Sequence, residues 1–180
     1  MRDKMRRAPG WKHMLRNTVY RGIGRCDSVG DDIRLRGTPS VENAGEIVLG
    51  SHVSIHSLPI ATHFLALPGG RIRIGDGVCF AHGCEVSAAE LVQIGDRTRL
   101  GAFVLVMDSD FHVPGNRHAK PPVAPVFIDS DVQIGNNVII LKGARIGRGA
   151  WIATGSSVSG DVPAGTRVQG VFRGSAKFSK

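Results

Sequence analysis

An all-β solenoid wound from six-residue repeats is the fold this sequence predicts, and three observations predict it. A large apolar residue recurs every six positions: Ile74, Phe80 and Val86; Ile94, Leu100 and Val106; then Ile128, Ile134, Ile140, Ile146, Ile152 and Val158. A small residue follows most of them directly, as at Gly75, Ala81, Gly95, Gly101, Gly135, Gly147 and Ala153. A compact residue stands four positions after, as at Val78, Cys84, Val104, Val132 and Val138. A period of six is neither the 3.6 of a helix nor the 2 of a half-buried strand; it marks a repeat solenoid. Each hexad supplies one short strand and one corner, and three hexads close a triangular coil of ~18 residues. The apolar residue points inward, and the glycine-type residue lets the backbone turn the corner.

The elements follow in order. Residues 1–32 form a basic N-terminal cap, where Trp11, Leu15, Val19 and Ile23 make one helical stripe amid Lys12, Arg16 and Arg21. Such a helix covers the open apolar end of a prism, or lies against an anionic membrane surface as a peripheral contact. The prism occupies 33–165. Its twelve clear hexads give four coils, and the weaker pair Leu49 and Ile55, after "DDIRLRG", adds one or two. The phase slips at "VSAAELVQ" (86–93), over residues 57–71, and most of all between Val106 and Ile128. That last gap, taken as an excursion over 108–127, contains Pro114, Pro121, Pro122 and Pro125, which cannot serve a central ladder. A long loop in a compact repeat is usually functional or disordered. Residues 166–180 form a C-terminal tail.

Composition narrows the class. No apolar run is long enough to span a membrane, and the N-terminus lacks the apolar core of a signal peptide, so a cytoplasmic location is expected. Cys26, Cys79 and Cys84 have no metal-ligand spacing and read as reduced thiols. The net charge of +8 raises nucleic acid as a partner, but the aromatic–basic interleaving of a nucleic-acid platform is missing. No nucleic acid is expected, and the charge fits an anionic small ligand or an acidic surface instead.

The hexads, the single long excursion and the histidine in "DSDFH" (108–112), with "IDSDVQIGNNVIILKGARIG" (128–147) and "WIATGSSVSGDVPAG" (151–165), resemble the hexapeptide-repeat acyltransferases. Closest are the sugar and galactoside O-acetyltransferases of the left-handed parallel β-helix superfamily. The resemblance covers residues ~33–177. It implies a left-handed coil, a homotrimer, and acetyl-CoA bound in the groove between neighbouring prisms, with no metal required. The activity it implies is acetyl transfer to a hydroxyl of a sugar, glycan or glycosylated small molecule, with transfer to an amine chemically close.

Site residues follow from the same resemblance. His112 matches the catalytic histidine, and an imidazole with an ordinary pKa of ~6.5 is the suitable base for a hydroxyl attacking a thioester. Asp108 and Asp110 either orient His112 or hold the loop by local hydrogen bonds, with Asp110 also a catalytic candidate. Asn136 stands where the family places a backbone N–H that receives the oxyanion. Gln133 departs from the family's Trp before this Ile-Gly. Ala153 and Ser159 match positions along the pantetheine arm; Lys142, Arg173 and Lys177 are the basic candidates for the CoA phosphates. The tail "GVFRGSAK" departs from the family's pattern. Arg117 and His82 are candidates for contact with the acceptor. Each also has a plain reading as a corner residue or a solvated side chain.

Two other classes remain open. "HGC" at 82–84 is similar to the histidine hexad of γ-type carbonic anhydrases, whose zinc needs three convergent imidazoles; the paired histidine hexads of that family are absent here. The other is a non-catalytic scaffold with a vestigial histidine.

Overall fold

The computed structural model describes residues 22–113, 115–116 and 118–174. The chain winds through seven coils, each giving one strand to each of three parallel seven-stranded sheets. Sheet A holds Ser28–Val29, Glu46–Leu49, Arg71–Ile74, Leu91–Ile94, Val126–Ile128, Arg145–Ile146 and Asp161–Val162. Sheet B holds Arg34–Arg36, Ser54–His56, Cys79–Phe80, Arg99–Leu100, Gln133–Ile134, Trp151–Ile152 and Arg167–Val168. Sheet C holds Ser40–Asn43, His63–Ala66, Glu85–Ala88, Leu105–Met107, Ile139–Ile140, Ser157–Ser159 and Val171–Arg173. Three edges, A–B, B–C and C–A, run the length of the prism.

The hexad residues form the core as expected. Phe80, Val86, Val106, Ile140, Ile152 and Val158 are fully buried, and Phe64 meets Phe80 edge to face at 5.3 Å between ring centroids. Burying one such side chain contributes about 1.5–3 kcal/mol, against a net ~1 kcal/mol for a ladder hydrogen bond. The inward-facing apolar set therefore fixes the register, and the ladder follows it. Burial also pushes the Cys26 thiol up to about 12, with Asp27 adding to it, and Cys84 up to about 11.

Several boundaries differ from the sequence reading. There are seven coils because the core continues at both ends: before the first hexads, Val29, Leu35 and Val41 pack on it at a spacing of six. After Val158 a tight corner at Gly160 (φ 77°) brings the next inward residue, Val162, four positions on. The prism thus starts at Ser28 and runs to Arg173, taking in parts of the stretches set apart as cap and tail. Val126 and Phe127 pair with Val92 and Gln93, so the excursion closes at residue 125. The N-terminal stripe lies outside the described residues except for Ile23, which sits in a turn and is fully buried against the first coil. No helix among the described residues is long and apolar enough to cross a membrane.

The glycine directly after each core residue does not supply the turn conformation that the sequence predicts. The left-handed residue falls three positions after the core residue: Gly77 at φ 67°, but also Phe103 at 57° and Asn137 at 53°. The glycine directly after the core residue is needed for space. A Cβ on Gly101 would collide with the Asn136 carboxamide, and one on Gly75 with the Asp96 carboxylate. Those side chains accept backbone N–H groups of the coil below, Ala102 to Asn136 Oδ1 at 2.8 Å and Asp76 to Asp96 Oδ1 at 2.9 Å. Corner side chains thus stack as a polar ladder outside the apolar core.

This ladder makes a stability prediction. Gly101→Ala forces out a packed group and breaks a hydrogen bond, costing about 2–4 kcal/mol. Gly149→Ala meets nothing within 4 Å and costs only the left-handed strain at φ 67°, about 1–2 kcal/mol. Urea unfolding of the two variants should rank them in that order; equal costs would contradict the steric explanation.

Candidate active site

The excursion leaves the fourth strand of sheet C and returns to sheet A, so it stands on the C–A edge. Its root is Asp108, wholly buried with a carboxylate that accepts three backbone N–H groups, from Ala89, Glu90 and Leu91, each at 2.7 Å. Three short charge-assisted bonds offset the desolvation of a buried carboxylate. They also explain the slip at 86–93: the widened corner is wrapped around Asp108. The Asp108 carbonyl accepts Ala124 N–H at 2.9 Å, tying the outgoing and returning arms together. Ser109 continues the pairing as an antiparallel bridge to Val123.

Beyond this root, Asp110 accepts both its hydrogen bonds from Lys142 Nζ, each at 2.7 Å. Asp110, read from sequence as a catalytic candidate, and Lys142, read as a candidate for the CoA phosphates, are therefore partners of each other. His112 donates its N–H to the Asp110 carbonyl at 2.7 Å across Phe111, whose φ is 57°. The His112 side chain is exposed. Phe111 lines a cleft of about 630 Å³ on the C–A edge with Leu67, Pro68, Glu90, Lys120 and Val123.

The remaining candidates fall into two groups separated by sheet C. Ser159 and Arg173 are register partners in its last two strands, on the outward face that leads to the C–A edge. Asn136, Ala153 and His82 are corner residues of the B–C edge. One chain therefore does not bring Asn136 to His112: a strand and its corners, some six residues or roughly 20 Å of chain, lie between the two edges. The Asn136 N–H is also engaged, donating to Thr154 Oγ1 at 3.2 Å in the corner ladder. His82 stacks edge to face on Phe103 at 5.2 Å. Arg117 and Lys177 lie outside the described residues. Among those described, no three His, Cys, Asp or Glu side chains cluster as a metal ion would need.

The outward face of sheet C differs from the other two. Its first three strands present Glu42, His63 and Glu85, but Leu105, Met107, Ile139 and Val171 stand on the later ones, whereas sheets A and B present Arg71, Arg73, Arg145, Arg99 and Arg167. Trp151 is covered in part by Arg167 at 4.3 Å and packs outward on sheet B. The sequence reading missed Phe111, Glu90 and Lys120 as cleft residues; the slip at 86–93 was the signal that the edge widens there.

Removing one Asp108 oxygen leaves buried donors unmet. Asp108→Asn should lower stability by at least about 2 kcal/mol in urea unfolding, because each unsatisfied buried group costs about 1–3 kcal/mol. The exposed Asp161→Asn should change it by less than about 0.5 kcal/mol. An Asp108→Asn protein as stable as the parent would contradict the clamp.

No family model matches the chain. The 2,3,4,5-tetrahydropyridine-2,6-dicarboxylate N-acetyltransferase of Staphylococcus aureus strain bovine RF122 / ET3-1 is 54% identical over 50 residues, 28% of this chain and 21% of that protein. Its counterpart in strain Newman is 52% identical over the same length. The chain thus spans about a fifth of the length of the curated relatives it matches. Among solved structures, a variant of AntD, an N-acyltransferase from Bacillus cereus in complex with dTDP and coenzyme A, superposes with a TM-score of 0.64. It is 21% identical, over 84% of this chain and 79% of its own. A hexapeptide-repeat containing acetyltransferase from Vibrio cholerae gives 0.53 at 20% identity, over 98% of this chain and 82% of its own. The chain has the fold of the hexapeptide-repeat acyltransferases, a left-handed parallel β-helix, and shares a stretch of sequence with acetyltransferases.

Proposed function

We propose that this chain is an acetyl-CoA-dependent acetyltransferase acting on a hydroxyl of a sugar or glycan, with His112 as general base. The observation that carries the reading is an exposed histidine in a pinned excursion, next to Phe111 and its cleft. The acceptor oxygen bonds to the thioester carbon while its proton passes to the imidazole; the C–S bond then breaks and the CoA thiolate leaves, taking that proton. The outer face of sheet C fits the cofactor. Leu105, Ile139 and Leu141 offer apolar contact to a pantetheine arm, Ser159 a hydroxyl, and Arg173 a cation for phosphate.

The working form in this reading is a cyclic homotrimer. A closed three-fold ring sets different surfaces of neighbouring copies against each other at equal height. The excursion folds back along the C–A edge to the level of Leu67 and Glu90. At that height the B–C edge carries Leu58, Ile60 and Phe103, which are 56%, 49% and 44% exposed in one chain. Setting one edge against the other covers these residues and the exposed Phe111. It brings the His82–Phe103 pair of one copy to the His112 of the next, and leaves sheet C lining the groove.

Transfer to nitrogen is the second reading, favoured by the names of relatives: the Staphylococcus aureus proteins are N-acetyltransferases and AntD is an N-acyltransferase. The AntD complex with dTDP also makes nucleotide-linked amino sugars worth including among acceptors.

The test is release of CoA thiol from acetyl-CoA across a panel of sugars, glycans and amino sugars. Alkaline hydroxylamine then separates ester products, which it cleaves, from amides, which survive. His112→Ala should lower kcat/KM by about 10²–10⁴-fold, while calorimetry finds the Kd for acetyl-CoA within about twofold of the parent, a difference of only ~0.4 kcal/mol. Unchanged turnover in His112→Ala would sink the general-base assignment.

A further inference from the structure

We propose that Lys142 is a positioning residue: its ion pair with Asp110 latches the turn that presents His112, and it does not bind the cofactor phosphates. The inference rests on the reading of His112 as the base.

The geometry assigns the two ends of the latch to different kinds of structure. Lys142 stands in the corner after Ile139–Ile140, one coil beyond the excursion, where the ladder fixes the backbone. Leu141 N–H donates to the Val158 carbonyl at 2.9 Å, and Gly143 N–H to the Ala124 carbonyl at 3.0 Å. Asp110 stands where the excursion's own pairing weakens. The Asp108 and Ser109 levels are stitched by a 2.9 Å bond and a bridge, but Asp110 N–H reaches the Pro122 carbonyl only at 3.4 Å. Two 2.7 Å bonds from Lys142, across 32 residues of sequence, act at that level.

The turn above it needs such a hold. Asp110 O and His112 N–H close a three-residue turn over Phe111, whose φ of 57° is one that a bulky side chain avoids. Strained local geometry persists only where the surroundings over-determine it. The Phe111 ring against the cleft supplies one constraint, and the Lys142–Asp110 pair supplies the other. Solvent-exposed ion pairs contribute little to stability, and this one is partly exposed at 32% and 41%. Its consequence is therefore placement: where the imidazole sits over the cleft, with little effect on whether the prism folds. The same bonds occupy two of the three ammonium donors and aim the cation at the loop.

Hydrogen exchange and kinetics test the latch together. In Lys142→Ala and in Asp110→Ala, the amides of Phe111 and His112 should exchange at least tenfold faster, with sheet amides unchanged. Turnover should fall tenfold or more with the Kd for acetyl-CoA unaltered, and the double variant should be no slower than either single one. Lys142→Arg keeps the pair and should restore most of the turnover. A phosphate-binding Lys142 predicts the opposite: a tenfold weaker Kd for acetyl-CoA in Lys142→Ala alone, and no change in exchange. That result would overturn the proposal, as would unchanged exchange in both single variants. The exchange arm needs no acceptor, so it decides the latch even if no acetyl transfer is found.

Discussion

A single buried carboxylate sets the geometry of the C–A edge. Asp108 lies at the point where a regular coil must stop and an excursion begin, and its oxygens hold three consecutive N–H groups of the coil below. A carboxylate out of water is tolerable only with its lone pairs filled. The chain must therefore bring 89–91 to this spot or leave the charge unmet. Once it does so, the corner is widened, the arms of the excursion are tied at Ala124, and Phe111 and His112 have a fixed base to project from. The rest of the edge is built outward from that base through progressively weaker bonds.

Much of the fold was legible because its cause is local and periodic. Ile128 through Val158 repeat every six residues since each must fill the same slot in successive coils. The ends were less legible, because Gly160 shortens one corner and Val162 and Val168 continue the core out of phase. The role of the corner glycines could not be read at all from spacing. Gly101 is required by Asn136, a residue in the next coil on the far side of the excursion, and only the stacked structure brings the two together.

The site was legible in part, for a related reason. "DSDFH" located the excursion and His112, since motif and break coincide. The division of labour among its acids was hidden: Asp108 reaches backward to 89–91, and Asp110 reaches forward to Lys142. Neither partner is near in sequence. Asn136 shows the converse. Its place in the repeat invites an oxyanion role, yet the same place in the stack commits its N–H to Thr154 and its carbonyl oxygen to Ala102.

One prism therefore carries its candidate residues on the two opposite edges of sheet C, and cyclic packing is what joins them in the proposed assembly. The most direct measurement places the photoreactive residue p-benzoylphenylalanine at position 111 and irradiates the assembled protein. Covalent dimers linked from this residue to the 58–60 or 101–103 segment of another copy are the expected result. Cross-links confined to one chain, or directed to the charged faces of sheets A or B, would contradict the shared site.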